Sequence, residues 1–278
     1  MPVSQHDKTL RFRALHQASG AFVIPNPWDA GSARMLAALG FPALATSSYA
    51  AAGTLGRRDG HVNRDEALAL AREIVEATEV PVSADLENGF GDSPEIVSET
   101  IRLAAAAGLA GGSIEDAPGD GPPYDLRHAT ERVVAAVEAA RALPFPFVLT
   151  ARAENFARGK PDLEDTIERL LAFEQAGADV LFAPGLPDLA SIRTVCAAVK
   201  TPVNVVAGSK GRVFTVADLA GAGVKRISLA TSLYRAAMTA LRDAACEVRD
   251  HGTFQFGERA MSSTELTAVM IERAGRSD

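Results

Sequence analysis

Short apolar runs alternate with longer amphipathic segments eight times along this 278-residue chain, and few folds accommodate that pattern. The runs fall at residues 22–25, 43–46, 82–85, 112–115, 147–151, 180–183, 203–207 and 226–230. Several are rich in Val, Ile and Leu, as strands covered on both faces must be. Between them, 64–78, 94–107, 127–143, 163–176, 188–199 and 215–222 carry apolar residues at helical spacing. In the first of these, Ala67, Leu68, Ala71, Ile74 and Val75 share one side. Ala107-Gly108, Ala176-Gly177 and Ala222-Gly223 close three such segments, and a glycine just past a helix suits a left-handed cap. Repeated strand–helix units predict an α/β fold closed into a (β/α)8 TIM-type barrel, in preference to an open doubly wound sheet. Such a barrel takes roughly 250 residues, so 1–278 reads as one barrel domain. Segments 3–18 and 262–274 are left over as extra N- and C-terminal helices. In the latter, Leu266, Val269, Met270 and Ala274 form an apolar face with no place on its own barrel, which predicts docking on a neighbouring subunit.

Charge narrows the partners. A net charge of −7 argues against nucleic acid, which demands a basic surface. It leaves room for an anionic substrate, because a bound cation reverses the local field of an acidic pocket. No apolar run reaches the ~18 residues of a membrane span. The first residues lack an apolar signal core, so a cytoplasmic location is expected rather than secretion or a membrane. Cys196 and Cys246 are far apart, lie on predicted helices and read as small buried side chains in a reducing compartment.

Catalytic groups of such barrels sit at the C-terminal ends of the strands, and acids fall there repeatedly. Asp85 ends the third run with Glu87 two residues on; Glu115 and Asp116 end the fourth; Arg152 and Glu154 follow the fifth; Asp59 lies in the long segment after the second. Carboxylates converging on one rim repel one another, and a hard divalent cation resolves the conflict. Mg²⁺, or Mn²⁺ in its place, needs only one or two direct carboxylates, since it retains waters. Arg152 reads either as an ion-pair partner for these acids or as a planar grip for a substrate carboxylate. Residues 46–50, with Ser47, Ser48 and Tyr49, read either as a packing turn or as backbone N–H groups able to hold an anionic oxygen.

Taken in order, these residues resemble the isocitrate lyase/phosphoenolpyruvate mutase superfamily. The similarity runs from about Phe22 to about Tyr234. It rests on Asn26-Pro-Trp-Asp-Ala-Gly-Ser-Ala33, Ser47-Ser-Tyr49, Leu55-Gly-Arg-Arg-Asp59, Asp85-Leu-Glu-Asn-Gly-Phe-Gly91, Ser113-Ile-Glu-Asp116 and Thr150-Ala-Arg152. The resemblance implies Mg²⁺ at Asp85, with water-mediated help from Asp59, Glu87 and Glu115. Glu87 stands where many members have aspartate, which keeps the charge and lengthens the reach. The resemblance also implies oxyanion binding at Ser47, Ser48 and Tyr49, a substrate-binding role for Arg152, and helix-swapped dimers paired into homotetramers.

The departures concern the reaction. Lyases of the family carry a Lys-Lys-Cys-Gly-His-like segment after the fourth strand, and the mutases carry Lys and Asn there. Here that loop reads Ala117-Pro-Gly-Asp-Gly-Pro-Pro-Tyr-Asp125, which is neither helix nor strand in prospect and is placed to cover a bound substrate. After the sixth strand, Phe182-Ala-Pro-Gly185 replaces the lyases' Pro-Glu and the mutases' His. The expected function is cleavage of a C–C bond beside a 2-oxo acid, most simply decarboxylation of an oxaloacetate-like substrate, because loss of CO₂ needs an electron sink and no dedicated base. The alternatives are a 2-methylisocitrate-type lyase using Tyr124 or Asp120 as acid, phosphonopyruvate or phosphoenolpyruvate C–P chemistry, and a barrel that binds a 2-oxo acid without turnover.

Overall fold

The computed structural model describes residues 3–208, 211 and 213–270. Eight parallel strands form one sheet: β1 (Phe22–Ile24), β2 (Leu44–Ala45), β3 (Val82–Asp85), β4 (Gly111–Glu115), β5 (Val148–Arg152), β6 (Val180–Phe182), β7 (Val203–Val206) and β8 (Arg226–Ser228). From β2 to β8 each strand pairs with its sequence neighbour, and β1 pairs with β8. The remaining seam, between β1 and β2, is bridged by the Ala45 N–H donating to the Pro25 carbonyl at 3.0 Å. Asn26 ties the same seam: its amide donates to the Thr46 carbonyl (2.9 Å) and its Oδ1 accepts from the Leu229 N–H (3.0 Å). The predicted barrel is therefore present, with strand ends within two residues of the apolar runs.

Helices follow the strands, and side-chain caps fix where each begins. They are α2 (Ala30–Ala38), α4 (Arg64–Ala77), α5 (Pro94–Ala106), α6 (Leu126–Arg141), α7 (Leu163–Gln175), α8 (Leu189–Ala198) and α9 (Val216–Gly221). Asp29, Asn63, Ser93, Asp125, Asp162, Asp188 and Thr215 each accept a backbone N–H of the first turn. Such caps stop each helix at a set distance from its strand, so the connecting loops and the rim they form are held in place. The apolar faces pack on the outside of the barrel, as with buried Leu68, Ala71, Ile74 and Val75 of α4.

The N-terminal helix, α1 (Gln5–Gln17), closes the opposite end of the barrel from the strand C-termini. Its fully buried Phe12 packs with Ile24, Ala43, Ala110, Val148 and Val180, residues at or just before the starts of the strands in most cases. Two short helices complete the chain beyond the sheet: α3 (Ser48–Thr54) and α11 (Ser263–Val269), the latter with a Ser262/Glu265 capping box. Sequence periodicity leaves α3 as a turn, because its seven residues are too few and too small to show a helical stripe. The C-terminal helix expected over 262–274 is described only to Val269, and Ala274 lies outside the described residues. Met270 rests against Gly31 at the start of α2 in the same chain.

The exposure expected of the C-terminal helix is shared by α11, which has no buried residue and an exposed Leu266, and by α10 (Ser232–His251). None of its 20 residues is buried, and Met238, Leu241 and Val248 are exposed. Among the described residues, no helix is long and apolar enough to cross a membrane.

His16 on α1 lies edge-on to Phe12 and Phe22, with ring centroids 4.8 and 5.1 Å away. Burial, with the nearby positive charge of Arg226 adding, holds its pKa down to about 3 from the ordinary 6.5. Because the folded value lies below the unfolded one, this contribution to stability is complete above pH 6.5 and drains away as pH falls toward 3. The slope expected is at most about 1.4 kcal/mol per pH unit. Urea unfolding of a His16→Phe variant between pH 6.5 and 4 should show a flatter acid limb than the parent. An identical limb would assign the acid sensitivity elsewhere.

Candidate active site

A cavity of about 330 Å³ opens at the C-terminal ends of the strands. In-register pairing brings the charged residues together: Glu115 on β4 sits beside Arg152 on β5, and Arg152 beside Phe182 on β6. Arg152 is the hub. Its Nη1 meets Asp85 Oδ1 at 3.0 Å, its Nη2 meets Glu115 Oε1 at 3.0 Å, and its Nε meets Glu154 Oε1 at 2.7 Å. The Phe182 ring lies 5.0 Å beneath the guanidinium. Arg158 takes the other Glu115 oxygen at 3.0 Å.

The acids still outweigh the cations locally. Burial pushes the Glu87 carboxyl up to about 7, with repulsion from Asp85 and Asp59 adding. Burial also raises Glu115, against the attraction of Arg152 and with repulsion from Glu154 and Asp85. Asp59 is raised by burial and by Asp85, against a hydrogen bond from Ser48. Arg152 is itself locked in the charged state: desolvation opposes the charge, but the surrounding carboxylates outweigh it.

Asp85, Glu115, Asp59, Arg152, Ser47, Ser48 and Tyr49 all line this one cavity, as the sequence predicts. Glu87 stands beside them around a small adjoining hollow shared with Asp85, Ser47 and Ser48. Its backbone lies in the left-handed region at φ 50°, uncommon for a residue with a Cβ. That turn lets the Glu87 carbonyl accept from the Glu115 N–H at 2.8 Å and its own N–H approach Asp85 Oδ1 at 3.4 Å. Ser47 is the N-cap of α3, so the segment read as a loop is a helix start. The Ser48 N–H donates to Asp85 Oδ2 at 3.3 Å.

The donor set fits a hard cation. Several carboxylates are crowded at a strand-end rim, and three of them are pushed toward protonation by that crowding and by burial. Among the described residues, no three acidic, histidine or cysteine side chains already converge on one point. The set therefore suits an ion held by one or two carboxylates and otherwise by water, the habit of Mg²⁺.

The expected loop 117–125 has neither helix nor strand, and none of its residues lines the cavity. The Tyr124 hydroxyl donates to Asp92 and accepts from the Asn88 amide, which holds it in a network of its own. Asp120 is fully exposed, 3.9 Å from Arg158. Cys196 and Cys246 lie on α8 and α10, half-buried rather than fully buried and away from the cavity lining.

Residues without an assigned role in the sequence also line the cavity: Glu154, Arg158, Asn204 and Arg226. Glu154 is legible as another strand-end acid. Arg158 lies six positions past Arg152 in an irregular loop, where no periodicity marks it. Arg226 carries a signal that reading by runs passes over: a charge at the head of an otherwise uncharged run.

A closed parallel barrel with strand-end acids around a central arginine defines a class of enzyme scaffold. The phosphoenolpyruvate phosphomutase family profile matches residues 12–249. The chain belongs to that family, within the isocitrate lyase/phosphoenolpyruvate mutase superfamily. A solved structure from Burkholderia cenocepacia J2315, described no more narrowly than lyase/mutase, is 52% identical over 97% of both chains, with a TM-score of 0.94. The 2-methylisocitrate lyase of Escherichia coli strain K12 is 30% identical over 90% of this chain and 88% of its own. The oxaloacetate decarboxylase of Chromohalobacter salexigens is 30% identical over 89% of this chain and 87% of its own.

Behind the rim, Asp116 is buried and held by Arg169 Nη1 at 3.1 Å and the Glu154 N–H at 2.8 Å. Burial nonetheless raises its pKa to about 6. Arg169→Met strands that carboxylate, and the expected loss is about 3–5 kcal/mol at pH 8 in chemical denaturation. The loss should shrink at pH 5, where Asp116 takes up a proton. A pH-independent loss would mean that packing, not charge, is what Arg169 supplies.

Proposed function

We propose that this protein is a Mg²⁺-dependent lyase that breaks a C–C bond beside a 2-oxo acid, decarboxylating an oxaloacetate-type substrate. The observation that carries the reading is the composition of the cavity. It joins Arg152 and strand-end carboxylates, while no cysteine, histidine or lysine lines it among the described residues. That set suits a reaction needing an electron sink rather than a strong base. Asp85 would hold the ion directly, with Asp59, Glu87 and Glu115 through water; when bound, Mg²⁺ or Mn²⁺ supplies Lewis-acid polarisation of the 2-oxo group. The planar fork of Arg152 grips a substrate carboxylate, exchanging part of its present carboxylate contacts for it. The start of α3, at Ser47, Ser48 and Tyr49, would turn backbone N–H groups to negative charge building on the C2 oxygen, that of Ser48 exchanging its present bond to Asp85.

A 2-methylisocitrate-type lyase is the second reading. Asp120, on the loop beside Arg158, is the acid that favours it, since Tyr124 is committed to Asp92. The test is a coupled assay on purified protein with oxaloacetate, 2-methylisocitrate and isocitrate. Pyruvate from oxaloacetate should form faster than with free Mg²⁺, thiol-blocking reagents should leave the rate intact, and Asp85→Ala or Arg152→Ala should cost about 100-fold or more. Asp85→Ala should also lose Mg²⁺ affinity in calorimetry. Succinate with pyruvate from 2-methylisocitrate would install the second reading. Pyruvate formation that survives both substitutions would leave a binding barrel, recognised by ligand-dependent thermal stabilisation without turnover.

The same reading includes a homo-oligomer in which α10 docks on a second copy. Met238, Leu241 and Val248 of α10, with Phe254, Met261 and Leu266 beyond it, are exposed apolar side chains that a lone chain leaves in water. Light scattering at micromolar concentration should give a dimer or tetramer mass, and a monomer would refute the assembly. A Leu241→Glu substitution should shift the distribution toward smaller species.

A further inference from the structure

Among the buried arginines, Arg226 is the one that lines the cavity without a carboxylate partner among the described residues. Arg152 meets three carboxylates and Arg169 meets two; Arg132, away from the cavity, meets none and donates to the Glu115, Asn88 and Gly91 carbonyls, with its Nε unpartnered. Arg226, at the head of β8, is only 5% exposed, and among the described residues no carboxylate lies within ion-pair distance of it. Its side chain crosses the barrel interior to neutral partners: Nε donates to Asn204 Oδ1 and Nη2 to Thr150 Oγ, both at 2.9 Å. Nη1 is buried with no partner. The residue lines the same cavity as Arg152, together with Asn204 and Ser228, whose side chains are hydrogen-bonded to each other at 3.1 Å.

A charged group taken out of water without a counter-ion costs several kcal/mol. Burial, with the positive field of Arg152 adding, lowers the Arg226 pKa to about 9, with no carboxylate pulling the other way. Were the side chain only a pin between β5, β7 and β8, a neutral amide would serve at less cost. A cation kept beneath a substrate cavity without its own anion is complementary to an anion brought by the ligand.

We propose that Arg226 is a second carboxylate-binding residue, which makes the cavity selective for a diacid: one carboxylate is held at the rim by Arg152 and the other at the floor by Arg226, Asn204 and Ser228. This rests on the reading of the site as one for small 2-oxo acids and narrows it to those with two carboxylates. A cavity of about 330 Å³, lined by both arginines, has volume for a four-carbon diacid.

Lactate and malate test it, because they differ by one carboxylate on C3 and neither loses CO₂. Calorimetric titration of the full-length protein with Mg²⁺ should show malate binding at least about 10-fold tighter than lactate. In Arg226→Met, malate affinity should fall by about 10- to 100-fold, to the level of lactate, and Arg226→Lys should recover part of the difference. Asn204→Asp is the second variant. It gives Arg226 an internal carboxylate while the side-chain volumes stay almost unchanged, and it should abolish the preference even if Arg226→Met fails to fold. A malate preference that persists in both variants would overturn the proposal and leave Arg226 a structural pin. Binding of neither acid by the parent protein would overturn the Arg226 assignment, while the oxaloacetate assay decides the 2-oxo-acid reading separately.

Discussion

The site depends on one buried guanidinium. Arg152 draws Asp85 from β3, Glu115 from β4 and Glu154 from the loop after β5 onto its three faces, so acids that would otherwise repel are gathered within one rim. Its fixed charge is set by those partners, and their crowding is only partly relieved by it: Glu87, Glu115 and Asp59 all stay above their ordinary carboxylate range. A cluster in that condition is short of positive charge. This is the physical basis for reading it as the seat of a divalent ion and of an anionic substrate that would share Arg152.

The barrel makes this arrangement affordable in conformational terms. Closure through Asn26 and the Pro25–Ala45 hydrogen bond fixes the register of the strands. The capped helix starts fix the loops between them, and the Phe12 plug seals the far end. Rigid support of this kind allows unfavourable local choices to persist. Glu87 keeps a left-handed backbone, Asp116 stays buried against Arg169, and Arg226 stays buried against neutral partners only. Two cations of different character thus share one cavity: Arg152 saturated with protein carboxylates, Arg226 without any.

The outer surface shows the same economy from the other side. Most helices bury an apolar face on the barrel, but α10 and α11 bury none of their residues. Sequence periodicity points to 262–274 as the unhoused helix because that segment follows the last strand unit. The fold extends that exposure to α10, which leaves the barrel after its first turn, while Met270, just past α11, lies near Gly31 of α2.

The sequence by itself determined the alternation of strands and helices, the caps that end them, and the strand-end positions of Asp85, Glu115 and Arg152. These follow from local chemistry: apolar period, capping side chains, and the rule that a parallel barrel presents its strand C-termini on one face. It could not assign Arg158 or Arg226, nor recognise that Tyr124 is tied to Asp92, nor see α3 behind Ser47. Those facts are relations across the barrel. Arg226 lies 76 positions from Thr150 and 22 from Asn204, and only closure of the strands brings them within 2.9 Å, with no carboxylate among the described residues in ion-pair reach.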